Sequence, residues 1–447
     1  MGFSEKKIAV IGGGLGGMAF MNSAIHTGLK NVHLYEAAAE FTEVGAGVNI
    51  TKNANRVLDT FGLGEDMLWR SSRNPPSYME YRHYRTGEYL GQIDEFGDPK
   101  SRQIHRAHLL DVLRKKVPDE MLSTGKKLEA LEWSVEQHSY ILTFKDKTTA
   151  TADIVIGCDG IKSAVRKHLG FKDSPIYSGQ MVYRGYVSYD DLTAETAELL
   201  HKTVNFRGPQ RHVLTLPIGN DESKTSRIGI IAFMTEPLEG WTSESWLDKA
   251  PIDDLYEHVK DWTGAVQEII AGLRKGHPDG LILKQTLYVR EPTEKWFRTD
   301  TAENGIILIG DSVHSTLPHQ GTETDPQKTG QGACMAIESG FALSQILQHW
   351  PSSSGDLQSA LQCFQDIRKP RTDKITKTSY EAGKIASCAI PEEMWIDTFK
   401  PDVIRDRMKW VMEYDLLGDI RSKLIAKEQE RSESYDGDGA KGIEVRA

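Results

Sequence analysis

Cysteine is scarce in this chain. Only four of the 447 residues are cysteines, at positions 158, 334, 363 and 388, and they form no Cys-x-x-Cys pair. A disulfide framework is therefore excluded as the basis of the fold, and reduced thiols are expected. No apolar run approaches the ~18 residues needed to cross a bilayer, and Glu5-Lys6-Lys7 leads straight into an apolar run, leaving no room for a signal peptide. Lys6 stands where N-myristoylation expects Ser or Thr, so a cytoplasmic, soluble protein is the expectation. An excess of positive charge is missing as well. The 54 Lys and Arg against 64 Asp and Glu give a net charge of −10 and a pI near 5.8, which argues against a nucleic-acid or anionic-membrane surface. Any anionic ligand must find local cations. There is no Gly-x-Ser-x-Gly elbow and no internal repeat. The histidines His314 and His319 are separated by Pro318, which breaks any shared helical face, and no Cys or acid completes a ligand set, so no metal is expected.

What is present begins with glycine. Residues 7–17 read as an apolar strand that breaks into Gly12-x-Gly14-x-x-Gly17 and resumes as a helix. In this spacing the first glycine makes the turn, the second lets the backbone approach a pyrophosphate and the third lets helix pack on strand. Backbone N–H groups and the helix dipole then face the phosphates. A second β-like run, Asn31 to Tyr35, ends in Glu36, nineteen residues past Gly17, where an acid accepts the ribose hydroxyls of an adenosine.

Further along, Glu43 to Ile50 alternates small and apolar residues, a pattern that lets backbone lie against a flat ligand or another strand. Asn53 to Leu63 has helical periodicity. The Tyr-, Arg- and Pro-rich stretch 69–104 reads as strands leaving the first sheet. Arg106 stands near the start of a helix, where the dipole does not favour a cation; an anionic or carbonyl ligand would explain it, and a solvated arginine is the plain alternative. Residues 128–156 read as hairpin strands followed by a buried parallel strand, which closes on Asp159-Gly160 and a helix exposing Lys162 and Arg166. Ligands of open α/β sheets gather at such carboxyl ends of strands. Residues 176–290 read as a largely antiparallel sheet with a helical stretch at 252–274, and at Asn304 to Asp311 the parallel-strand style returns, again closing on Gly-Asp.

Together these signals resemble the single-component FAD-dependent aromatic hydroxylases, the group A flavoprotein monooxygenases. The residues 43–55 and Pro318-His319-Gln320-Gly321 are most similar to the salicylate hydroxylase-like branch. The resemblance spans roughly residues 5–420. It implies an α/β fold: a Rossmann-like FAD-binding domain made from 1–75, 100–175 and 291–370, an inserted mainly antiparallel β-sheet substrate domain from 76–99 and 176–290, and C-terminal helices over 371–427; residues 428–447, rich in Ser, Glu, Asp and Gly with almost no large apolar groups, read as a disordered tail. It implies that Gly12, Gly14 and Gly17 cradle the FAD pyrophosphate, Glu36 binds the FAD ribose, Gly47 and Val48 lie along the flavin, Arg106 contacts the cofactor, Asp311 holds the ribityl-pyrophosphate side, and Asp159 serves FAD and nicotinamide nucleotide together. NAD(P)H then reduces the flavin, O2 forms a flavin C4a-hydroperoxide, and one oxygen atom passes to an electron-rich ring, with decarboxylation if the substrate is salicylate. His212 matches a family histidine able to take a phenolic proton, and Arg184 a family arginine near the substrate. A satisfied strand histidine and a structural ion pair are the respective alternatives. Two departures stand out. Leu216 occupies the position four past the histidine where related hydroxylases commonly have tyrosine, and Thr322 to Thr329 looks like an insertion. An epoxidase or alkaloid- or polyketide-tailoring oxygenase on the same scaffold is the alternative activity, and a non-catalytic nucleotide-fold protein a third reading. A monomer or homodimer is expected.

Overall fold

The computed structural model describes residues 3–41, 47–72, 79–94, 96–219, 226–237, 248–317, 331–350, 356–386 and 408–434. Residues 43–46 of the small-residue stretch, the Pro-His-Gln-Gly segment with His319, the 322–329 insertion and Cys388 lie outside the described residues.

Strands are numbered β1 to β19 in chain order. A six-stranded sheet has the order β18 (Phe297–Thr299), β19 (Gly305–Leu308), β11 (Ile154–Gly157), β1 (Ile8–Ile11), β2 (Val32–Tyr35), β7 (Leu122–Ser123). All its pairs are parallel except β18 with β19. Strands β1, β11 and β19 are buried at every position, which is why each reads as an unbroken apolar run rather than an alternating one. An eight-stranded sheet has the order β16 (Lys249–Pro251), β17 (Leu281–Val289), β12 (Ile176–Val187), β15 (Arg227–Thr235), β14 (Arg211–Ile218), β13 (Val204–Gly208), β4 (Met79–His83), β5 (Tyr89–Ile93), antiparallel throughout but for β13 with β4. A three-stranded sheet, β8 (Leu128–Ser134), β9 (Ser139–Phe144) and β10 (Thr149–Ala152), and the pair β3 (Gly47–Ile50) with β6 (Arg102–His105) complete the sheets of the described residues.

The helices are α1 (Leu15–Thr27), α2 (Lys52–Thr60), α3 (Gly64–Arg70), α4 (Arg106–Lys115), α5 (Ala164–His168), α6 (Ala194–Leu199), α7 (Ile252–Val259), α8 (Gly264–Gly276), α9 (Asp311–His314), α10 (Gln331–His349), α11 (Leu357–Ala386) and α12 (Leu416–Ser434). One apolar core surrounds the six-stranded sheet, and a second fills the eight-stranded sheet and its helices. The fold is α/β with an inserted antiparallel sheet and a C-terminal helical region. Helices α1 and α10 touch backbone to backbone: a Cβ on Gly340 would lie 2.5 Å from the Gly16 carbonyl oxygen. This contact fixes the middle of α10 against the first turn of α1, next to the glycine loop.

Three sequence expectations change. The 252–274 helix breaks at 260–263 into α7 and α8. The polar tail begins later than 428, because α12 continues through Ser434; its Lys, Glu, Gln and Arg are good helix formers and need no apolar face to extend a helix already docked by Leu416 and Ile420. Arg166 is buried rather than exposed, since its guanidinium reaches Asp173 at 2.9 Å and the Ser312 carbonyl at 3.1 Å. A charge so paired and bonded tolerates burial.

Candidate cofactor and substrate cavity

A cavity of about 490 Å³ lies where the two large sheets meet, lined on one side by the glycine loop and on the other by β14, β15 and β17. The three loop glycines have different reasons for being glycine. Gly12 has φ +107°, and a Cβ there would lie 2.3 Å from the Cys158 carbonyl oxygen. At Gly17 a Cβ would come within 2.1 Å of the Gly12 carbonyl oxygen, so helix α1 could not sit down on β1. Gly14 has an ordinary φ of −70°, lines the cavity, and a Cβ on it would meet nothing within 4 Å among the described residues. The protein itself makes no demand for glycine at that position. Space kept open there fits a phosphate group approaching the start of α1.

Glu36 directly follows β2 beside this loop, its Oε2 accepting the Gly13 N–H at 2.6 Å and its Oε1 the Ala38 N–H at 2.7 Å. Asp311 opens α9 and faces the cavity from the end of β19. Its depth in the fold pushes the carboxyl pKa up, opposed by the nearby Arg106 guanidinium. Arg106 is the first residue of α4, whose N-cap is His105, Nδ1 accepting the Ala107 N–H at 3.2 Å, and it too lines the cavity. Gly47 and Val48 form part of the wall, but a Cβ on Gly47 would lie 2.4 Å from Ile218 Cγ2, so contact with β14 already requires glycine there.

Asp159 has one carboxylate oxygen in use and the other, Oδ1, without a hydrogen-bond partner among the described residues. Its Oδ2 accepts the Ala164 and Val165 N–H groups at 2.6 and 3.2 Å, which commits it to the start of α5, and burial raises its pKa. Its neighbour Gly160, not Asp159, borders the cavity.

On the opposite wall the sheet register sets the rows. Arg184 of β12 pairs with Ile231 of β15, and Ile231 with Leu214 of β14; one row along, Phe233 pairs with His212. Leu216, Ile231, Phe233 and Leu287 make this wall apolar around Arg184. The Arg184 pKa is pushed down to about 10, first by burial and then by Arg106, and its Nε has no hydrogen-bond partner among the described residues. His212 is 1% exposed and stacked on Phe233, ring centroids 4.9 Å apart and planes 7° from parallel. Phe233 forms the wall and His212 lies against it. Sequence reasoning missed Phe233 and Gln285 as wall residues; Gln285, a polar side chain inside the otherwise strand-like run Leu281–Val289, was the visible signal.

The model of the FAD-binding domain family matches residues 5–379. The chain belongs to that family, and FAD is its cofactor. Among curated relatives, salicylate hydroxylase of Pseudomonas putida is 28% identical over 448 residues, covering 94% of this chain and 95% of that protein. The 6-hydroxynicotinate 3-monooxygenase of Pseudomonas fluorescens is 29% identical over 384 residues, covering 84% and 90%. A solved salicylate hydroxylase substrate complex superposes with a TM-score of 0.76 at 26% identity, covering 94% of this chain and 98% of that one. The chain is thus a salicylate hydroxylase-like flavoprotein. Among the described residues no helix is long and apolar enough to cross a membrane.

Proposed function

We propose that this flavoprotein is a monooxygenase that hydroxylates an anionic aromatic compound, a phenol or hydroxybenzoate, using NAD(P)H and O2. The observation that carries this reading is Arg184: a partly buried cation that makes no ion pair among the described residues, set in an apolar wall across the cavity from the glycine loop. A buried charge without a partner is unfavourable by several kcal/mol unless a ligand supplies one. An aromatic ring bearing a carboxylate or phenolate supplies both the apolar face and the anion, through charge-assisted hydrogen bonds.

Bound FAD supplies the oxygen chemistry. In the balance, NAD(P)H gives two electrons, one oxygen atom enters the ring and the other leaves as water; with salicylate the carboxylate departs as CO2. The chain's own residues orient the ring and set its charge. Arg184, aided by Arg106, favours the anionic form of the substrate, which is the more nucleophilic ring. His212 is the proposed acceptor of the phenolic proton, reached through movement of Phe233 or a water, since His212 lies one side chain back from the wall. Gly12, Gly14, Gly17, Glu36, Gly47, Val48, Arg106 and Asp311 are proposed to hold FAD. Exposed Lys162 and Lys167 at the cavity's edge suit the anionic NAD(P)H. Leu216 in place of a tyrosine favours a second reading, an oxygenase of a larger apolar ring on the same scaffold.

The test is NAD(P)H oxidation by the FAD-loaded enzyme across salicylate, other hydroxybenzoates, phenols and uncharged polycyclic substrates, with products identified by mass. An oxygenated product formed from an aromatic acid supports the proposal. Turnover confined to uncharged rings would contradict it.

A further inference from the structure

Behind the cavity lies a buried polar chain that the reaction as described does not use. It starts at Gln331, the first residue of α10, whose Nε2 donates to Thr51 Oγ1 at 2.8 Å. Thr51 Oγ1 donates to Asn53 Oδ1 at 2.6 Å, and Asn53 Nδ2 donates to Glu338 Oε1 at 2.7 Å. Glu338 is fully buried and held by two arginines of α11, Arg368 at 2.7 Å and Arg371 at 2.9 Å. Arg371 also donates to the carbonyls of Val411 at 2.9 Å and Trp410 at 3.4 Å, and its guanidinium lies 4.1 Å from the Tyr414 ring centroid. Arg368 Nε donates to Ser339 Oγ at 3.2 Å, and that hydroxyl lies 3.0 Å from Nε2 of His314, three residues past Asp311.

The first two members of this chain stand on the two walls of one space. Thr51 directly follows β3, whose Gly47, Val48 and Asn49 line the cavity; Gln331 directly precedes Gly332 and Ala333, which line it from α10. The links from Gln331 to Glu338 and its arginines are all made, although Gln331 Oε1, Arg368 Nη1 and His314 Nδ1 have no hydrogen-bond partner among the described residues, and such a buried chain rigidifies what it joins. Burying the Glu338 carboxylate would be costly without its partners, so its placement depends on α11 and on the carbonyls of 410–411.

We propose that Glu338 and Asn53 are positioning residues for the cofactor: through Thr51 and Gln331 they set the gap between the β3 and α10 walls, and through Arg371 they make that gap depend on docking of the C-terminal segment 408–414. The proposal rests on the cavity being the FAD site.

The test uses the full chain. Glu338→Gln would leave two buried arginines uncompensated and lose folded protein, so Asn53→Ala is the decisive variant, because it cuts Thr51 and Gln331 off from Glu338 while leaving the direct Gln331–Thr51 bond and both ion pairs in place. Arg371→Lys keeps the charge and removes the fork that reaches the carbonyls of 410–411. Asn53→Ala is expected to fold, to bind FAD roughly tenfold more weakly and to shift the absorption bands of the bound flavin. Arg371→Lys is expected to move both readouts the same way by less. Leu142→Ala, a core truncation in β9 away from the cavity lining and chosen for a comparable Tm loss, is the control for a general loss of stability and is expected to leave the flavin spectrum unchanged. Wild-type affinity and spectrum in Asn53→Ala, or an equal change in Leu142→Ala, would overturn the proposal while leaving the cofactor reading intact. Wild-type protein that takes up no FAD would overturn both.

Discussion

The two walls of the cavity differ in how far their residues are already satisfied by the protein. On the glycine-loop wall several groups have an internal reason for their position: Gly12 and Gly17 avoid backbone collisions, and Glu36 accepts two backbone N–H groups. Gly14 has none, and the Asn49 amide and Asp159 Oδ1 have no hydrogen-bond partner among the described residues; these mark where a ligand is needed to complete the account. On the sheet wall the balance is reversed. Arg184 has an orphaned Nε, a lowered pKa and no carboxylate partner among the described residues, surrounded by Leu216, Ile231, Phe233 and Leu287. A preformed cradle faces an unsatisfied cation, which is the arrangement expected when one ligand is resident and the other exchanges.

Gly17→Ala gives the largest effect. The added methyl meets the Gly12 carbonyl oxygen at 2.1 Å, and a loss of about 3 kcal/mol or more is expected, read as a lower Tm or as insoluble protein. Gly14→Ala makes the contrast, with unfolding of the FAD-free protein changed by no more than about 0.5 kcal/mol while FAD affinity falls. Equal destabilisation by the two variants would erase the distinction between internal packing and ligand space. His212→Ala is expected next, slowing hydroxylation by about 10²- to 10⁴-fold in kcat with FAD still bound; a kcat within twofold of wild type would remove His212 from proton transfer.

The smallest effect is in pH. Burial alone would raise the Glu338 pKa, but Arg371 and Arg368 more than reverse that and bring it to about 2, against an ordinary 4.5. The folded state thus binds this proton less readily than the unfolded chain. The contribution of Glu338 to stability is fully present above pH 4.5 and fades as pH falls toward 2. Acid unfolding curves of Arg371→Met are expected to be flatter across that window, and a slope equal to wild type would discount the pair.

The cofactor wall was legible in the sequence because it is local. Gly12, Gly14 and Gly17 lie in one turn, and the buried parallel strands announce themselves as apolar runs such as Ile8–Ile11 and Ile154–Gly157. Arg106 was visible as a cation in the first turn of a helix, where the dipole gives no reason for it. What stayed hidden depends on contacts across the chain. Asp159 sits in the expected motif, yet its Oδ2 is used by α5, which no spacing rule states. Arg166 is buried because Asp173 turns back to meet it. His212 is on the expected strand, but the register that stacks it on Phe233 is tertiary information. The Glu338 network joins residues 51, 53, 331, 338, 368 and 371, and no window of sequence contains it.

The most direct measurement is ligand binding to FAD-loaded Arg184→Met, read from flavin absorbance, with salicylate and the uncharged phenol compared side by side. Loss of a charge-assisted pair worth about 2–3 kcal/mol should weaken salicylate by about 30- to 150-fold while phenol binds as it does to wild type. Removing a cation that lacks a partner should also leave the Tm unchanged or raise it. Equal weakening of both ligands, or salicylate binding at wild-type strength, would contradict the account of this wall.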